Sequence, residues 1–285
     1  MTTPPATATG IRRFLPNTQS DAWGYFCGCV LALGASLSFA TARAGVLAGL
    51  TPGDMILMRF GVSGLLLLPF WIGSGLPSLA GIGWRRAAIL TALAGPGFAL
   101  MQMGGYAFAP LAHGGVIHPA SVTIISTGIA TVLLKERLSA AHLIGAVLVI
   151  GGIVLISWQG LHSAAGANSW IGDLLFFTSA ILWAGFTVLV RYWRLHAIRT
   201  IAVVSFLSLI LMLPGYFVWF TWDHVRNLPP GAMAMQALVQ GVGQGVLAIT
   251  AYSQAIRVLG VSRAVLFPAM VPAVSILVGI RASRG

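Results

Sequence analysis

Gly115-Val116-Ile117-His118-Pro119-Ala120 and Ala264-Val265-Leu266-Phe267-Pro268-Ala269 are similar hexapeptides 149 residues apart. At the same shift Val122 meets Val271, Ser126 meets Ser275, and Leu33 and Ala35 meet Leu182 and Ala184. The chain reads as two copies of one unit. Apolar runs of ~20 residues, long enough for a helix to cross a ~30 Å hydrocarbon core, lie at Ala22–Ala42, Met55–Gly73, Ala87–Phe108, Gly114–Leu134, Ala140–Ser157, Ile171–Val190, Ile201–Phe220, Ala232–Tyr252 and Ala264–Ile280. One unit therefore holds five spans. An odd number of crossings inverts the second copy in the bilayer, the arrangement of carriers whose substrate sits between the halves.

Composition supports the spans. Hydrophobic residues make up 58% of the 285 and charged residues 7%, with a mean hydropathy of +0.92, whereas soluble domains carry about 25% charge. A net charge of +11 suggests nucleic acid in a soluble protein, but these basic residues fall mostly between apolar runs, where they set topology. The expected surroundings are a lipid bilayer, with no nucleic-acid partner. Cys27 and Cys29 share the first run and offer no disulfide framework. Eight of nine tryptophans lie at or just beyond run ends, as headgroup anchors do, and Trp183 alone sits mid-span.

With the N-terminus in the cytoplasm, the inner segments hold Arg12, Arg13, Arg85, Arg86, Lys135, Arg137, Arg191, Arg194, Arg199, Arg257 and Arg263, and the outer ones Arg43, Arg226, Arg281 and Arg284. That imbalance predicts a multi-pass inner-membrane protein with its N-terminus inside. The expected division is a cytoplasmic tail over 1–21, a first five-helix repeat over 22–157, an outer connection over 158–170 and a second repeat over 171–285. Adding the 149-residue shift to Glu136 reaches the final residue, so the second repeat is expected to stop at its fourth span. The fold class expected is an all-α polytopic bundle of two inverted five-helix repeats, nine spans seen where ten complete the pattern, by truncation or as a natural nine-span variant.

The Pro119 span running into Leu133-Leu134-Lys135-Glu136-Arg137-Leu138-Ser139, the second proline helix at Pro268, and Arg59 in Met58-Arg59-Phe60 together resemble the drug/metabolite transporter superfamily, in particular its EamA-type members. The resemblance covers nearly the whole chain. It implies two five-helix inverted repeats and alternating-access movement of a small organic metabolite, drug or amino-acid-like solute, with export as the expected direction.

Candidate residues follow from polarity inside apolar runs. Gln236, Gln240 and Gln244 recur every four residues on one helical face, and span three carries Thr91, Gly95, Gln102 and Tyr106. These faces are expected to line a cavity, the competing role being interhelical hydrogen bonding. Gln102, Tyr106, Trp183, Gln240 and Gln244 are the candidate substrate-binding residues; Trp183 serves equally well as a large core side chain. Arg59, His118 and Glu136 are the candidate gating or coupling residues. Arg59 suits an anion contact, an outer-interface anchor or a pair with Asp54. His118 more often packs neutrally than titrates, and Glu136 beside Lys135 suits a helix-capping turn better than a gate.

Every acidic residue, Asp21, Asp54, Glu136, Asp173 and Asp223, lies at or beyond a span end, so no carboxylate is expected deep in the membrane. Pro119, Pro268 and Pro272 are expected to kink or break their helices. Gly241-Val242-Gly243-Gln244-Gly245 lacks the lysine and context of a phosphate loop and reads, with Gly24/Gly28 and Gly45/Gly49, as close helix packing. His113 and His118 lack the neighbours of a metal site. No cofactor, metal or catalytic constellation is expected. A second copy of the chain is a candidate partner. The alternatives are a transport-inactive truncated membrane protein acting as a binding or assembly partner and, less favoured, an intramembrane enzyme.

Overall fold

A computed structural model of the chain describes residues 20–72, 79–133, 168–219 and 222–259, with isolated helical residues within 144–152 and 267–274. No strand occurs among the described residues. The helices are α1 (Asp21–Leu47), α2 (Pro52–Ile72), α3 (Trp84–Ala94), α4 (Pro96–Phe108), α5 (Leu111–Leu133), α6 (Ser169–Tyr192), α7 (Ala197–Trp219), α8 (Trp222–Asn227), α9 (Pro230–Gln236) and α10 (Ile249–Leu259). Between α9 and α10, Ala237–Ala248 winds as a π-helix. Seven of these helical stretches are long and apolar enough to cross a membrane, with α3–α4 and α9–α10 each counting as one. Most of the apolar runs Ala140–Ser157 and Ala264–Ile280 lies outside the described residues.

Local chemistry explains the boundaries. Ser20 caps α1, its hydroxyl accepting from the Trp23 amide at 3.2 Å, and Asp21 adds a negative charge to the first turn. α1 ends where Gly49 takes φ +87°: Leu50 N–H donates to Gly45 O and Gly49 N–H to Val46 O, the paired bonds of a Schellman cap. Gly49 is therefore a helix stop, whereas close packing was expected of it. α6 ends in the same motif, with Leu195 N–H on Val190 O, Arg194 N–H on Arg191 O and Arg194 at φ 52°.

α2 starts with a capping box. Thr51 N–H donates to the Asp54 carboxylate at 2.8 Å while the Asp54 amide donates to Thr51 Oγ1 at 3.2 Å. Pro119, by contrast, lies inside the unbroken helix α5. The break occurs instead in the third span, at Gly95-Pro96. Gly95 holds φ −89°, ψ −146°, and Pro96 restarts the helix at its first position, where its missing N–H costs nothing.

α1 packs on the π-segment and α10, while α4 and α5 pack on α6. α2 lies against both α7 and the π-segment, and α3 touches α6 and α7. Small residues permit these approaches. A Cβ on Gly24 would fall 2.5 Å from Leu259, one on Gly28 2.2 Å from the Phe267 ring, and ones on Gly241 and Gly245 2.5 Å from Val62 and 2.7 Å from Ser63. The expected close packing holds at these four glycines. Large apolar side chains such as Phe26, Leu65, Phe70, Leu211 and Leu238 point outward, where lipid rather than water is their natural solvent.

Candidate functional site

The polar interior centres on Arg59. From the second turn of α2 its side chain turns inward and is 5% exposed, neither reaching the interface nor pairing with Asp54. Its guanidinium donates to Gln102 Oε1 of α4 at 3.3 Å and lies 5.7 Å from the Phe98 ring centre and 5.8 Å from that of Phe60. Such cation–ring contacts contribute about 0.5–2 kcal/mol each. Phe98 also stacks on Trp183 at 5.0 Å and lies 5.9 Å from the His118 ring. Phe98 thus joins Arg59, His118 and Trp183, although an aromatic inside an apolar run gives no sequence signal of such a role.

Arg59, Phe60, Ser63, Trp183, Ser205 and Gly245 line a cavity of about 20 Å³, room for roughly one water. α2, α6, α7 and the π-segment contribute these walls. Gln102 reaches the site through Arg59, and His118 through Phe98. His118 Nδ1 is 2.9 Å from Ser179 Oγ, a bond that ties α5 to α6.

The other candidates lie elsewhere. Gln240 Nε2 donates to Ser38 O, and Ser38 Oγ donates back to Gln240 Oε1, both at 2.7 Å. Gln236 Nε2 donates to Thr41 O at 2.5 Å. Two of the three amides therefore bind the π-segment region to α1. The Gln244 Oε1 atom is buried with no partner among the described residues. Tyr106 packs on Phe176 at 4.8 Å, with its carbonyl accepting from Arg43. Glu136 lies outside the described residues. Gln240→Leu takes the partner from the buried Ser38 hydroxyl and is expected to lower stability by about 1–3 kcal/mol, read as thermal unfolding in detergent. An unchanged melting temperature would contradict the reciprocal pair.

A second polar centre forms around a carboxylate at a span end. Asp54 is 0% exposed. Besides Thr51, Tyr216 Oη donates to it at 2.5 Å, and His224 Nε2 lies 3.1 Å from Oδ1. Those partners come from α7 and α8, beyond the reach of local sequence reading. Nearby in chain topology, His113 Nδ1 and Asp173 Oδ1 are 2.7 Å apart, joining α5 to α6. Arg43, Asp54, His113, Asp173 and Tyr216 all sit at helix ends on one side of the bundle, so polar contacts tie that side together. No group of three metal-ligating side chains occurs among the described residues.

The EamA-like transporter family model matches residues 22–158 and 170–281, most of the chain. Solute carrier family 35 member F5 of Macaca fascicularis is 29% identical over 113 residues, 38% of this chain and 26% of that protein. The match thus spans about a quarter of the relative's length. No solved structure matches the chain significantly. The matched family is one of transporters, and the relative's name is that of a solute carrier.

Proposed function

The chain belongs to the EamA-like transporter family, and from that premise we propose that it carries a small organic solute across the inner membrane by alternating access, with net movement outward as the family resemblance implies. The solute site is the cavity beside Arg59, with Trp183 in its wall, Gln102 behind it on Arg59, and Tyr106, Gln240 and Gln244 on the helices that move with them. His118 and Glu136 take gating roles. The N-terminus is cytoplasmic, as the distribution of arginines favours.

The observation that carries this proposal is the cavity itself: its walls come from α2 in the first half of the chain and from α6, α7 and the π-segment in the second. A bundle split between such halves exposes their shared boundary first to one side and then to the other. Further support comes from the contacts of the two halves. α1 lies on the π-segment and α10, as α6 lies on α3 and α4, and α2 lies on α7. We read this as two related units, 22–157 and 171–285, inverted about the α2–α7 contact. The irregular backbone also recurs, as the Gly95-Pro96 break in one unit and the π-segment in the other. Such backbone at membrane depth is tolerated where it lines a cavity or is buried in protein.

Proteoliposomes holding the purified protein and loaded with a metabolite extract test the proposal, with released solutes identified by mass spectrometry. Selective loss of particular solutes is the expected result, and retention equal to protein-free vesicles would overturn it. Trp183→Ala removes one wall of the cavity and the ring stacked on Phe98. It is expected to abolish solute movement while insertion stays intact, and undiminished flux in this variant would move the site elsewhere.

A further inference from the structure

We infer that the Arg59 cavity receives the anionic headgroup of a small organic anion whose body is apolar or aromatic. This names the substrate class of the site proposed above and rests on that reading. A buried arginine loses its hydration, a penalty that needs an opposing charge or several hydrogen bonds to offset it. Arg59 has one amide contact at 3.3 Å and two ring faces among the described residues. The nearest acidic group along its helix, Asp54, is engaged by Thr51, Tyr216 and His224. Five N–H donors on a planar fork thus meet a single oxygen, and the residue lines the cavity.

The surroundings match the two parts of such a ligand. Ser205 and Ser63, whose hydroxyl donates to the Arg59 carbonyl at 2.7 Å, are polar residues in the cavity wall. One turn from the lining residues Ala94 and Ser205, the buried Thr91 and Ser208 hydroxyls have no partner among the described residues. Carboxylate, sulfonate and phosphate headgroups accept from such donors alike. The same cavity is lined by Phe60, Trp183 and Phe186, surfaces for an apolar body. A neutral or cationic solute would leave the guanidinium uncompensated or repelled. The cavity holds about one water in this closed arrangement, so entry requires the Trp183 and α2 walls to part.

Benzenesulfonate, its neutral analogue benzenesulfonamide and the cation phenyltrimethylammonium form a test set of similar shape. The intact chain in proteoliposomes is expected to move the sulfonate in preference to the other two. Arg59→Lys is expected to keep part of that flux, and Arg59→Gln to lose about tenfold or more, the loss of one charge-assisted hydrogen bond. Equal or greater flux of the neutral or cationic compound, or undiminished sulfonate flux in Arg59→Gln, overturns the inference. Where Arg59→Gln fails to fold, the unmodified protein decides: sulfonate raising its melting temperature in detergent while sulfonamide does not supports the anion site, and equal shifts overturn it. Absence of flux for these compounds and for every solute of the metabolite extract sinks the carrier reading. The same thermal shifts then decide the anion site separately.

Discussion

Asp54→Ala is expected to lower stability by about 2–4 kcal/mol, from the loss of a helix cap and of several hydrogen bonds to a buried carboxylate. The carboxylate accepts from the Thr51 amide and hydroxyl and from Tyr216, and contacts His224. Its loss removes the α2 capping box together with the contacts from Tyr216 on α7 and His224 on α8. Asp54→Asn keeps acceptor oxygen and the side-chain shape, so a smaller loss is expected. Unfolding in detergent followed by tryptophan fluorescence measures both. Equal and small losses would mean that this cluster does not hold α2 to α7.

Gly172→Val is expected to have a comparable effect through packing alone. A Cβ there would lie 2.8 Å from the Gly105 carbonyl oxygen and 2.5 Å from the Ala109 Cβ. Rigid backbone of α4 cannot yield as a flexible side chain can, so α4 and α6 must separate. Overpacking typically costs about 1–3 kcal/mol and sometimes more, and separation also disturbs the Phe98–Trp183 stack between the same two helices. Gly97 provides the control. Nothing lies within 4 Å of its added Cβ, so Gly97→Ala is expected to be neutral or to gain up to about 1 kcal/mol in helix propensity. Similar melting temperatures for Gly172→Val and Gly97→Ala would contradict the α4–α6 contact.

Composition and run length made seven of the spans legible among the described residues, because lipid demands continuous apolar helix and the chain supplies it. The glycine spacing in α1 and in Gly241–Gly245 likewise reported close approach, since a missing Cβ is itself the packing feature. The third-span break was not placed. Pro119 is expected from the sequence to kink or break its helix, but α5 continues through it, whereas Gly95 just before Pro96 gives the chain both freedom to turn and a residue suited to restart a helix. The π-helix was equally hidden, because glutamines four apart fit an α-helical face too.

Among the site residues, Gln102 and Trp183 were visible as polar or bulky exceptions in apolar runs, and the structure brings both to Arg59. The depth of Arg59 was ambiguous, since a long side chain near a span end can point either way. Asp54 looked like an interfacial residue for the same reason. What buries it are Tyr216 and His224, more than 160 positions along the chain, and no local pattern encodes such a meeting. Thr51-Pro52-Gly53-Asp54 did carry one usable signal, that of a capping box before an apolar run.

Alternating access at the Arg59 cavity is tested most directly by cysteine accessibility. With Cys27 and Cys29 replaced by alanine, Ser63→Cys and Ser205→Cys each place one thiol in the cavity wall, where the native serines are 1% and 4% exposed. A membrane-impermeant maleimide is applied to right-side-out and inside-out vesicles. The account predicts slow modification from both faces, with solute shifting the balance between them. Modification from one face only, whatever solute is present, or from neither, would contradict a site that opens alternately to the two sides.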